Sequence, residues 1–364
     1  MLSGTHSETE IQMSTTTNVD ALQQTLTASP VAASRRIASL DGLRALSIAM
    51  VVLGHAANTA GFPHWLRPFA DSTRLGVRVF FVISGFLITS LLLREHERTG
   101  RISLPDFYKR RAFRILPAAT VTIVVISLIW RPGWVSTVAA LCFVRNYFVG
   151  DWYLGHFWSL SVEEQFYLLW PLLLIRFFPA RRRLAIAGII IAPFSRVIWD
   201  RFFPATSLGF TSMEDALATG CLLALMQTEI ERWRPWIDRL ILPITAAALV
   251  MLRLKYPPGV QPLLVYTIVN FAIACIIDHC IRKKYGLLNC APVVWLGGLS
   301  YSLYLWQQPF MVESSNRWYA TWPLNVALAM AAAILCHYAI EQPFLNLRKK
   351  IEANNRRPAA SFAK

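Results

Sequence analysis

The sequence predicts an all-α, polytopic membrane protein with about ten transmembrane helices and both termini in the cytoplasm. Three observations carry that expectation. Of the 364 residues, 55% are hydrophobic and only 16% charged, whereas a soluble domain carries about 25% charged residues. Apolar stretches close to the ~20 residues that a spanning helix needs recur between positions 39 and 342, and the mean hydropathy is +0.42. Most of the 36 Lys and Arg fall in alternate connections, as the positive-inside rule requires of cytoplasmic segments. The net charge of +15 therefore marks cytoplasmic loops and not a nucleic-acid surface.

The elements follow in order. Residues 1–36 are polar, rich in Ser and Thr and lack an apolar core, which predicts a disordered cytoplasmic tail and no secretory signal. A membrane domain is expected over 37–347. Its spans fall near 39–58, 76–93, 115–131, 157–178, 184–199, 208–227, 240–254, 263–281, 292–312 and 323–342. Between the third and fourth, Val135 to Val149 is short and interrupted by Arg145 and Asn146. It reads as a re-entrant or interfacial piece, and a crossing there would invert everything downstream. Residues 348–364 are basic and polar and predict a second cytoplasmic tail. No internal repeat and no second soluble domain is visible. The six cysteines form no CxxC pair, so neither a metal site nor a disulfide framework is expected.

The first span carries two ionisable residues, Arg44 and His55. At 100° per residue they share one helix face, about 16 Å apart along the axis. Ionisable groups at membrane depth are costly and are usually retained for function, and imidazole suits proton transfer near neutral pH. By position alone His55 reads equally as a general base or as a satisfied interhelical hydrogen-bond donor. The predicted topology places it in the outer half, level with Glu163 and Glu164 of span four and with Glu214 and Asp215 of span six. Ser84 lies beside Gly85 without a GxSxG elbow, so it reads as helix packing and not as a nucleophile. The cluster Lys109, Arg110, Arg111 and Arg114 is an ordinary cytoplasmic anchor or a clamp for the phosphates of a nucleotide-bearing donor. Tyr301, Tyr304 and Trp306 read as packing and interface anchors. Glu341 reads as a helix cap or a partner for a basic loop.

Taken together these segments resemble the acyltransferase-3 family of integral-membrane O-acyltransferases, which includes bacterial O-antigen and exopolysaccharide acetylases. Arg44 and His55 match its Arg-x10-His hallmark. FFVISGFLIT from Phe80, RRAFRILP from Arg110, WSLSVEEQFY from Trp158, GGLSYSLYLW from Gly297 and EQPF from Glu341 follow in the family's order. The resemblance implies transfer of an acyl group, most often acetyl from acetyl-CoA, to a hydroxyl of a carbohydrate such as an exopolysaccharide or O-antigen unit. It implies a bacterial cytoplasmic (inner) membrane location, surrounding lipid, and no permanently bound cofactor or metal. It carries over His55, Glu163 and Arg44 as catalytic positions, favouring Glu163 over Glu164. Arg110, Arg111 and Arg114 become coenzyme A contacts, and Trp158, Asp215 and Tyr304 candidate substrate contacts.

On that expectation His55 deprotonates the acceptor hydroxyl, Glu163 orients or charge-stabilises His55, and Arg44 steadies the donor or the oxyanion. Direct transfer and an acyl-histidine relay both fit the residues. Two positions depart from the family pattern. Gln307 stands where many members have His, which removes acid–base chemistry there. Met213 stands where an Arg often precedes the aspartate, which leaves Asp215 without an evident partner. Some relatives carry a C-terminal SGNH-type domain, for which this chain is too short. The rival reading is a transporter or flippase of a lipid-linked glycan, since intramembrane Arg, His and Glu suit a proton-coupled carrier too. The lack of a pseudo-repeat weighs against it.

Overall fold

The computed structural model describes residues 37–148, 150–202, 210–257, 259–283, 285–313, 315 and 317–355. The expected N-terminal tail, and the last nine residues of the expected C-terminal one, lie outside them. Every regular element among the described residues is helical.

The longer helices are α1 (Ala38–Ala56), α2 (Thr73–Thr99), α3 (Leu104–Trp130), α4 (Trp134–Leu141), α5 (Phe157–Arg176), α6 (Arg181–Phe202), α7 (Phe210–Leu225), α8 (Arg234–Arg253), α9 (Tyr266–Lys283), α10 (Ala291–Gln307), α11 (Leu324–Cys336) and α12 (Gln342–Asn355). Local chemistry sets their ends. Gly100, at φ 71°, closes α2 in the left-handed conformation that glycine adopts without strain. Ser103 opens α3, its hydroxyl accepting from the Asp106 N–H, with Pro105 in the first turn.

Among the described residues six helical segments are long and apolar enough to cross a membrane: Ala38–Ala56, His64–Thr99, Leu104–Trp130, Gln227–Arg253, Gln261–Lys283 and Leu324–Asn354. The other four expected spans are helical as well, but outside that set for physical reasons. α7 has 16 residues and α10 has 17, short of the ~20 that cross a bilayer core unaided. α5 carries Glu163 and Glu164, and α6 begins with three arginines. Leu128, Leu242 and Leu335 are at least 70% exposed, as a lipid-facing surface requires.

α4 occupies about the first half of the interrupted stretch. Its eight residues make a helix about 12 Å long, under half a bilayer core. The chain then returns to the end of α3 that it left, where the rings of Trp130 and Tyr153 lie 6.1 Å apart. At the C-terminus, helix continues through residues assigned to a tail. α12 runs to Asn355, and Arg348 pairs with Glu352 one turn on at 3.5 Å.

Residue pairing fixes the helix directions. Gly76 of α2 packs on Ser47 of α1, and Gly54 of α1 on Thr73, so these two run antiparallel. α10 runs in the same direction as α1, with Gly297 against the Asp41 carbonyl and Gln307 beside His55. α5 follows α2: Glu163 meets Ser84, and Trp170 meets Thr89. α7 also follows α2, with Arg78 beside Met213 and Asp215 and, further on, Gly85 packed between Leu217 and Cys221, while α6 opposes α7.

Candidate active site

Three polar clusters of the helix bundle hold most of the residues singled out in the sequence. The first lies at the Arg44 end of α1. Arg44 Nε donates to Ser300 Oγ at 3.3 Å and lies within electrostatic range of Asp41, Arg114 and Glu163. Glu163 Oε1 accepts from Ser84 Oγ at 2.7 Å, and Ser84 Oγ from the Tyr167 hydroxyl at 3.2 Å. Arg111, Arg44 and Arg114 all act on the Glu163 carboxylate, and the Arg111 guanidinium lies 4.5 Å over the Tyr167 ring. Three arginines from α1 and α3 therefore surround one carboxylate of α5. Glu164 Oε1 is buried nearby without a hydrogen-bond partner.

This arrangement differs from the expected one in two respects. Glu163 keeps company with Arg44 and not with His55; among the described residues no hydrogen bond or ion pair joins Glu163 to His55. The cause is depth along α5, whose start at Phe157 is the expected one. His156 immediately precedes α5, and it is His156 that lies at the level of His55, while Glu163 is nearly two turns deeper. The basic triplet also divides. Arg111 and Arg114 share a face, being one turn apart, and point at Glu163. Arg110, 100° round the helix, points away and pairs with Glu95 at 3.0 Å with its side chain 40% exposed.

The second cluster surrounds His55. Its Nδ1 lies 2.8 Å from Gln307 Oε1. An amide oxygen only accepts, so Nδ1 is the donor, and in the neutral ring Nε2 is the nitrogen with the lone pair. Trp152 stands edge-on, with ring centroids 5.6 Å apart. Its indole N–H donates to the Gln308 carbonyl at 3.0 Å, and Gln308 Nε2 returns a bond to the Trp152 carbonyl, clasping the loop before α5 to the end of α10. His156 is 2% exposed and within electrostatic range of His55. Its Nε2 donates to the Leu305 carbonyl at 2.9 Å, which leaves Nδ1 an acceptor without a partner.

The third cluster supplies Asp215 with partners. Its carboxylate is fully buried, 2.7 Å from Arg196 and 3.8 Å from Arg78, and accepts from Thr267 Oγ1 at 2.8 Å. Arg78 Nη2 also approaches Met213 Sδ at 4.0 Å. The cation missing from position 213 thus arrives from α2 and α6. So enclosed, Asp215 binds helices together, and its Oδ1, 3.8 Å from Arg78, is buried without a hydrogen-bond partner. Tyr304 acts similarly: its hydroxyl donates to the His156 carbonyl at 3.0 Å and bonds to Ser159. Trp158 packs edge-on against Phe81 at 6.2 Å. Glu341, expected at a helix cap or loop, accepts from Ser302 and bonds to His337 Nδ1, at 2.9 and 2.8 Å.

Sequence reasoning passed over His156, Arg78 and Arg196, and assigned Ser84 to packing alone. The available signal was the unusual burial each implies: a histidine at the mouth of WSLSVEEQFY and two arginines inside apolar runs.

Comparison with known proteins gives a consistent result. A family profile described as "Acyltransferase domain" (Acyl_transf_3) matches residues 37–341. The "O-acetyltransferase OatA" of Staphylococcus aureus is 29% identical over 365 residues, covering 87% of this chain and 58% of that protein. The "Peptidoglycan O-acetyltransferase OatA" of Listeria monocytogenes is 27% identical over 373 residues, covering 88% of this chain and 58% of its own length. The chain thus spans less than two thirds of the curated relatives it matches. No solved structure matches it.

Proposed function

The chain belongs to the acyltransferase domain family, and from that premise we propose that it moves an acetyl group from acyl-CoA to a hydroxyl of a cell-envelope carbohydrate, with His55 as general base. The acceptor class is supported by the relatives, of which the one from Listeria monocytogenes is named for peptidoglycan O-acetylation. The observation that carries the reading is the His55–Gln307 bond. In the neutral ring it makes Nε2 the basic nitrogen, which is the form a base must hold before reaction.

In this reading α1–α3 and α5–α11 cross the membrane ten times, with both termini in the cytoplasm of a bacterial cell. Support comes from the alternating helix directions and from the basic segments that share the Arg44 end. Acyl-CoA enters at that end. Its phosphates meet Arg111 and Arg114, whose guanidiniums suit bidentate phosphate contacts, while exposed Arg110 faces the approach. Glu163 holds the arginines in place and offsets their mutual repulsion; it acts on the donor end and not on His55. The pantetheine arm carries the thioester along α1 toward His55.

There the acceptor hydroxyl gives its proton to His55 Nε2 as its oxygen bonds to the thioester carbonyl carbon. The resulting oxyanion collapses, the carbon–sulfur bond breaks, and the departing thiolate takes the proton from the imidazolium. The products are the O-acetyl ester and free coenzyme A. His55→Ala, expressed in a strain lacking its own O-acetyltransferase, is expected to lower glycan O-acetylation at least about 100-fold, read by NMR of the isolated glycan. Wild-type acetylation by a correctly inserted His55→Ala protein refutes the assignment.

A further inference from the structure

Gln307 has hydrogen-bonding capacity that its bond to His55 leaves unused. The side chain is wholly buried, at 0% exposure. Its Oε1 is engaged by His55 Nδ1 at 2.8 Å. Its Nε2, which carries two N–H donors, is buried without any hydrogen-bond partner. A buried amide N–H is costly to leave unmet. An unmet donor next to an imidazole, at the junction of α1, α10 and the loop before α5, marks a place that another group completes.

We propose that Gln307 Nε2 donates to the acyl carbonyl oxygen during transfer, so that one amide both holds His55 and stabilises the oxyanion. This rests on the acyl-transfer function proposed above. The physical advantage is rigidity. The two polar atoms of an amide are fixed by one plane, so the base and the oxyanion donor keep a constant separation while charge develops. When the hydroxyl oxygen bonds to the carbonyl carbon, the proton moves to His55 Nε2 and negative charge moves to the carbonyl oxygen. Gln307 Oε1 then holds the Nδ1 proton of the imidazolium, and Nε2–H meets the new charge. A preorganised donor of this kind acts on the transition state more than on bound substrate.

Side-chain chemistry makes the claim separable. A carboxylate at position 307 keeps the acceptor for His55 Nδ1 but loses the donor. A thioether loses both. A neutral imidazole has one accepting and one donating nitrogen, and so replaces both functions of the amide without sharing its shape.

The test uses the full chain in detergent with [14C]acetyl-CoA and a peptidoglycan oligosaccharide. In Gln307→Glu, kcat is expected to fall about 100- to 1,000-fold, while KM for acetyl-CoA stays within about twofold, since the donor acts on charge absent from the ground state. Gln307→Met is expected to fall at least as far, and Gln307→His to stay within about tenfold of wild type, an ordinary margin for a re-sited donor. A Gln307→Glu protein with wild-type kcat, or with its loss confined to KM, overturns the inference. Should Gln307→Glu fail to fold, as read by size exclusion and thermal unfolding, the other two variants decide, and equal activity of Gln307→His and Gln307→Met overturns it. Wild-type protein that transfers no label overturns the function itself, which is a different result from any pattern among the variants.

Discussion

Asp215 shows how much a single buried charge commits. It has no exposure, and two arginines from different helices converge on it. Removing the carboxylate strands two guanidiniums in a low-dielectric interior, a change that costs about 3–5 kcal/mol. Asp215→Leu is therefore expected to lower the thermal unfolding temperature sharply in detergent, and Asp215→Leu with Arg196→Met to recover part of the loss. A single variant that melts like wild type contradicts the account. Arg44 and His55 were legible in the sequence, because a fixed helical period places them on one face whatever the tertiary structure. The level of Glu163 was not. It depends on how α5 is set along α1 and not on where α5 starts, which is the expected Phe157. The nearly two turns between His156 and Glu163, about 10 Å along the axis, make His156 and not Glu163 the neighbour of His55. The partners of Asp215 were hidden for another reason: they come from separate helices, and no local spacing encodes them.

At the scale of elements, backbone contact decides the geometry. α2 and α7 cross at Gly85 and Gly220. A Cβ at Gly85 would collide with the Leu217 carbonyl oxygen, and one at Gly220 with that of Val82. Small residues allow such close approach between membrane helices. Ser84, which bonds Glu163, is adjacent to this crossing. Gly85→Val is expected to force the helices apart and cost roughly 1–3 kcal/mol through overpacking. It should also displace Ser84 and lower the proposed acetyl transfer more than Gly133→Val, since a Cβ at Gly133 meets no atom within 4 Å. Equal activity of the two variants defeats the argument. Helix existence was legible from the apolar runs. Spanning capacity was less so: α7 and α10 are short and gain their apolar surroundings from neighbours, which hydropathy along one chain does not register.

The whole molecule has an Arg44 end and a His55 end, and the proposed function gives them opposite sides of a membrane. Single cysteines, placed in a cysteine-free background, test that orientation. Trp65→Cys, 75% exposed in wild type near the His55 end, is expected to react with an impermeant maleimide in intact cells. Glu97→Cys, exposed near the basic end, is expected to react only after permeabilisation. The reverse pattern would invert the entry side of the donor. The alternation of basic segments was readable from the sequence because charge acts on insertion segment by segment. Which helices touch was not, since that follows from packing across hundreds of residues.

The pairing of α1 with α10 has a mechanical consequence. The two helices run side by side and are fastened at both Arg44–Ser300 and His55–Gln307. Two fastenings on one pair of rods make a strut, and a strut neither pivots nor slides at one end without breaking a bond at the other. Under the proposed function the gap between the phosphate anchor and the base is then a fixed length. The travelling part is the cargo's own tether, and the protein is the track along which that tether is measured.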